Sequence, residues 1–198
     1  ESLSLAVDAQ GTAYVAYNDN TNGGKGTVKK FDGNNWEDIS LSGLTDRRAT
    51  AMKLAVDTQG TPYVAFLEAF FLRTDIADYY RVSAKKFNGS QWEYVGKAGF
   101  SSDTDLVTLS VDAAYINLVI DEKDTPFVAY QNLENDKATV KKFNGSAWEY
   151  VGNKDISPDR ADYVSLSLDS SGNPFLAFMD YAHGQNATVM KFPAAPAI

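Results

Sequence analysis

The chain has 198 residues, 44% hydrophobic and 13% aromatic, which is enough to bury a core and too apolar for a disordered chain. A net charge of -8 disfavours nucleic acid and anionic lipid as partners, and the absence of cysteine excludes a disulfide scaffold, a thiolate metal site and a thiol nucleophile. No run of about 18 apolar residues occurs, so no membrane insertion is expected, and a chain that starts at Glu1 reads as a processed or trimmed piece.

From the N-terminus, Leu3, Leu5 and Val7 alternate with small or polar residues, the period of two of a β-strand. DAQG then supplies a turn, with Asp to bond the backbone and Gly for a positive φ. AYVAY (13–17) is apolar on both phases, so both of its faces are expected to be covered. After the polar stretch 18–26, VKKF, DGN and Trp36 read as a strand, a two-residue hairpin turn and a returning strand. The lysines of KKF are expected on an outer, solvated part of the sheet. The same words return as MKLAVD, PYVAF and AKKFNGSQWEYVG, then as INLVID, PFVAY and VKKFNGSAWEYVG. In the third copy Asp124 replaces the turn glycine, and LVTLSVD (106–112) competes with INLVID as its first strand. VSLSLD, PFLAF and VMKF make a fourth copy that stops before any tryptophan. Proline opens three of the second strands, a position that suits it.

Four antiparallel strands in a repeat of about fifty residues are the signature of a β-propeller blade. The expected fold is all-β: a propeller of four repeats with the last blade lacking its outer strand, or a part of a larger propeller. One domain spans 1–198, with blades near 1–40, 49–97, 106–153 and 163–193. SLAVDAQGTAYVAY and KLAVDTQGTPYVAF resemble the first two strands of NHL-type propeller repeats. The whole unit is similar to repeat arrays of bacterial surface and secreted proteins. That resemblance implies an extracellular or cell-surface propeller and does not by itself imply an activity. Trp36, Trp92 and Trp148 are expected to pack between adjacent sheets. The strand 188–192 is expected to keep a bare edge, blunted by the prolines after it, in a chain that is monomeric or part of a larger polypeptide.

The stereotyped turns fall on one face of such a disc and the irregular loops on the other, where binding usually sits. All five arginines lie in or beside the irregular loops: Arg47, Arg48, Arg73, Arg81 and Arg160. Tyr79, Tyr80, Tyr163 and Tyr181 share them, together with Phe70, Phe71 and Phe100. Arginine offers a planar fork for carboxylates, and pairing with nearby acids such as Asp159 is the competing role. These residues are the candidate ligand-binding set for a glycan or protein partner. Catalysis finds little support: His183 is the single histidine, no multi-histidine metal site is possible, and no cofactor motif occurs. Asn88, Asn144 and Asn186 fit the glycosylation acceptor pattern, although the first two also fit hairpin turns.

Overall fold

The structure, a computed structural model, describes residues 2–41, 43–71, 78–101, 115–132 and 134–192. β1 (Leu3–Val7), β2 (Ala13–Asp19), β3 (Lys25–Phe31) and β4 (Trp36–Asp38) form an antiparallel sheet in chain order. β5 (Ala49–Val56), β6 (Pro62–Phe71), β7 (Asp78–Phe87) and β8 (Trp92–Tyr94) repeat it. So do β9 (Ile116–Ile120), β10 (Pro126–Asn132), β11 (Lys137–Phe143) and β12 (Trp148–Tyr150). β13 (Ala161–Leu168), β14 (Pro174–Asp180) and β15 (Asn186–Lys191) complete the set as a three-stranded sheet. The chain divides into two compact units, Glu1–Asp112 with the first two sheets and Ala113–Ile198 with the other two.

The turns are built as their residues dictate. Asp8, Asp57, Asp121 and Asp169 each accept backbone N–H groups two and four residues on, at 2.7–3.0 Å. The position between needs a positive φ, supplied by Gly11 at 86° and, in the third copy, by Asp124 at 61°. In the hairpins Gly33, Gly89 and Gly145 take φ of 95–101°, and the preceding Asp32, Asn88 or Asn144 bonds the turn amides. Asn88 and Asn144 therefore serve as turn residues, while Asn186 opens β15 and donates to the His183 carbonyl at 2.7 Å.

Each unit is held by the joint between its two sheets. In the first, Met52 and Leu54 of β5 bury against Tyr14, Ala16 and Val28. In the second, Val164 and Leu166 of β13 bury against Phe127, Ala129 and Val140. Trp92 closes the first joint, 5% exposed, with its indole N–H donating to the Ile39 carbonyl at 2.8 Å. Trp36 is 47% exposed, because it belongs to the first sheet of its unit and no earlier sheet stands against it among the described residues. Trp148 is half-buried. Interblade burial thus holds for Trp92 and fails for Trp36. Each tryptophan instead keeps its local partner, tilting on Phe31, Phe87 or Phe143 at centroid distances of 5.2–5.6 Å. In the fourth sheet Phe192 is buried and reaches Gly152, where an added Cβ would lie 3.3 Å from its ring.

Other expectations are corrected. Lys85 and Lys141 are buried, not solvated: each ammonium caps a tyrosine ring at 4.3 Å, and Lys85 also donates to the Gly43 carbonyl at 2.9 Å. Burial pushes the Lys85 ammonium below its ordinary pKa, with Glu68 and Asp46 opposing. Both faces of β10 are covered, but β2 and β14 are covered on one phase only. Arg81, Tyr79, Tyr80, Phe70 and Phe71, expected in or beside irregular loops, lie on strand, since β6 and β7 pair out to Phe71 and Asp78. Ile116–Ile120 pairs with β10 as the first strand of its sheet; the competing stretch 106–112 lies outside the described residues.

Removing Trp92 takes away both an interblade filler and a hydrogen bond, so Trp92→Ala is expected to cost about 3–5 kcal/mol. Trp36→Ala should cost about 1 kcal/mol or less, as at exposed sites. Denaturant unfolding of the two variants checks this, and equal losses would contradict the assignment.

Candidate functional site

In the second unit the loop between the third and fourth sheets enters β13 through Arg160, Ala161, Asp162 and Tyr163. A β-bulge follows. The pairing with β14 slips between Asp162 and Ser165, and Tyr163 takes a φ of 54°, in the left-handed region a bulky residue rarely adopts. The bulge turns the phenol outward, leaving Tyr163 64% exposed. Its ring tilts against Tyr115, which directly precedes β9, at a centroid distance of 4.7 Å. The two tyrosines hold the same place in successive repeats, each one residue before the apolar row of a first strand.

Behind them Asp162 is buried and accepts four hydrogen bonds. Arg160 donates two, from Nε at 2.9 Å and Nη2 at 3.0 Å. Gln131 Nε2 donates at 2.8 Å and the Tyr181 hydroxyl at 3.2 Å. The half-exposed guanidinium also lies over the Tyr181 ring, 5.1 Å from its centroid. Backbone bonds tie the cluster together: Tyr181 N donates to Arg160 O at 3.2 Å, and Gln131 N to Tyr115 O at 3.0 Å.

The electrostatics follow from this geometry. Burial alone would raise the Asp162 carboxyl, but the bonds from Arg160 and Gln131, with the Arg160 charge, leave it below its ordinary value. The Tyr115 phenol is pushed up to about 12, first by burial, then by its bond with Tyr163 and the charge of Asp162. Tyr181 is raised as well, by burial and its bond to Asp162. At neutral pH the Tyr115 and Tyr181 phenols are therefore protonated and the Asp162 carboxylate beside them is ionised. Such a surface can stack on an apolar ring face and exchange hydrogen bonds at its edge.

Three of the nine candidate residues meet here: Arg160, Tyr163 and Tyr181. Tyr115, Gln131 and Asp162 stand outside that set, although the repeat alignment equates Tyr115 with Tyr163. The others lie elsewhere. Arg47 and Arg48 are exposed in the loop before β5, where Arg48 bridges to Lys25 and packs over Gly24. Arg81 is half-buried in β7. Tyr80 and Phe100 are buried and cannot serve as exposed platforms. Tyr79 and Phe70 pair as backbone in β7 and β6, and Arg73 lies outside the described residues. His183 closes a single turn of 3-10 helix capped by Asp180, its Nδ1 2.8 Å from that buried carboxylate. No cluster of metal-ligating side chains occurs among the described residues.

On the stereotyped turns a groove of about 780 Å³ runs between the sheets of the second unit, beside Phe127, Lys142, Asp169 and Pro174. A groove of about 560 Å³ occupies the equivalent place in the first unit, beside Tyr14, Lys30, Asp57 and Pro62. Asp57 and Asp169 are already spent on turn amides.

No family model and no curated protein matches the sequence. Solved structures do match in fold. A protein of unknown function from Dyadobacter fermentans is similar at TM-score 0.61 and 10% identity, over 98% of this chain and 60% of that one. The lectin of Aleuria aurantia, in complex with Fucα1-6GlcNAc, is similar at 0.56 and 15%, over 98% and 64%. The α-L-arabinanase of Penicillium chrysogenum, complexed with arabinobiose, is similar at 0.55 and 12%, over 98% and 62%. The chain thus spans less than two thirds of the length of each. With four repeated antiparallel sheets, these likenesses show the β-propeller fold.

The depressed Asp162 carboxyl contributes stability that is complete above its unfolded pKa of about 3.9 and is lost as pH falls toward the folded value. Denaturant midpoints taken from about pH 5 down to pH 2 should therefore fall more steeply for the parent chain than for Asp162→Asn. Parallel curves would show that the carboxylate is not so held.

Proposed function

We propose that this β-propeller is a non-catalytic, extracellular or cell-surface module that binds a glycan through the tyrosine cluster at the start of β13. The observation that carries the reading is Tyr163: an aromatic ring 64% exposed, held at a φ of 54° and braced on Tyr115, beside the Arg160–Asp162 pair. Strained backbone at an exposed aromatic points to use rather than packing. A saccharide offers apolar C–H faces for the rings and hydroxyls for the guanidinium and phenols.

Binding suits the cluster better than glycoside cleavage. A general acid needs a carboxyl raised toward neutral pH, whereas Asp162 is lowered and its oxygens are occupied. Two of the similar structures are carbohydrate complexes, which makes fucosylated and arabinose-containing oligosaccharides the first to try. We also read the repeat as NHL-type, on its first two strands, and a role as a structural segment of a larger surface assembly is the reading that fails to need the cluster.

A glycan array followed by calorimetry tests this. Tyr163→Ala removes an exposed side chain and should leave the fold intact while weakening binding at least tenfold, the scale of one stacking contact. No glycan bound, or binding unchanged in Tyr163→Ala, would overturn the assignment, and turnover of a bound glycoside would overturn its non-catalytic part.

A further inference from the structure

Leu3, Leu5 and Val7 stand where Met52, Leu54 and Val56 stand one repeat later. In the second sheet that row is covered. Met52 and Leu54 sit in the core against Ala16 and Val28, and Ser4 Oγ accepts the Leu54 backbone N–H at 2.9 Å. In the first sheet the row is bare: Leu5 is 65% exposed where Leu54 is 6%. A contiguous apolar row of this kind marks an interaction surface.

The chain also carries the other half of the joint. The seat for Met52 and Leu54 is formed by Ser4, Ala16 and Val28. Matched through the registers of β1 to β3 and of β13 to β15, those positions in the last sheet hold Ser165, Ala177 and Val189. There Ser165 is exposed, and so is Val189. None of the six residues named on the two faces is charged.

We propose that the Leu3–Leu5–Val7 face of one copy docks head to tail on the Ser165–Ala177–Val189 face of a second copy. The register is that of the joint between β5 and the first sheet, with Ser165 Oγ accepting the Leu5 N–H. The partner is a second copy because this chain itself holds the matching seat, residue for residue. The docking surface proposed is a pair of sheet faces, distinct from the β15 edge at which the sequence places a bare strand. The contact is heterologous, so it leaves each copy with one free face until the assembly closes.

The chain has no cysteine, which makes thiol reporters unambiguous. Leu5→Cys and Ser165→Cys copies are mixed in equal amounts and treated with a short bis-maleimide. The expected product is a linked pair containing one of each, with each variant alone linking little. Light scattering of the parent chain should give a mass above one chain that falls to one chain in Leu5→Asp or Leu3→Glu, circular dichroism being unchanged. A single-chain mass at every concentration, or self-linking of Leu5→Cys as efficient as the mixed pair, overturns the proposal. So does an assembly that survives both charged variants with their fold intact.

Discussion

The joint between consecutive sheets is the contact on which the structure depends. A four-stranded antiparallel sheet of about five residues per strand does not hold together on its ladder alone, since each backbone hydrogen bond contributes only about 1 kcal/mol net. What makes these sheets persist is the burial of the first-strand row, Met52 and Leu54 in one unit and Val164 and Leu166 in the other, into the face of the sheet before it. Each such side chain contributes about 1.5–3 kcal/mol when fully buried. The joint also explains the sequence of the first strands: apolar residues on the leading phase, small or polar ones on the trailing phase where the next sheet must sit close.

The same constraint explains which parts of the fold were legible in the sequence. Turns were, because Asp8 or Asp32 with a glycine carries its own local geometry, down to the Asp124 substitution. Strand order was, because period and turn length determine it. The side chains that cross from one repeat to another were not. Lys85 reads as a surface residue until Tyr94 and the Gly43 carbonyl are seen to receive it. Trp36 and Trp92 end the same Phe-x-Gly-x-x-Trp hairpin pattern and differ in whether a sheet stands before them. Phe192 gave no sign of its burial, since its counterparts Phe31, Phe87 and Phe143 stay half-buried.

The candidate site shows how one backbone device can serve two ends. Ala51 and Tyr163 share the bulge and a φ of 52–54°. At Ala51 the bulge only steers β5 into the joint, and the adjacent Thr50 hydroxyl is buried without a hydrogen-bond partner. In the fourth repeat the corresponding positions became Asp162 and Tyr163, and the positions of Arg48 and Arg160 coincide. The carboxylate then finds Arg160, Gln131 and Tyr181, and the outward side chain becomes an aromatic platform. A sequence search for arginine and tyrosine found three of these residues. Tyr115 was legible only through its alignment with Tyr163, and Gln131 was not legible, because its role comes from lying beside β13 across the joint.

Native-state hydrogen exchange tests the joint most directly, because it reads protection strand by strand. The account predicts slow exchange in β5, whose apolar row is buried in the joint, and much faster exchange in β1, whose apolar row is exposed, although each is the edge strand of its sheet and pairs with the second strand. Equal protection in β1 and β5 would show that the ladders, and not the joints between sheets, hold the molecule together.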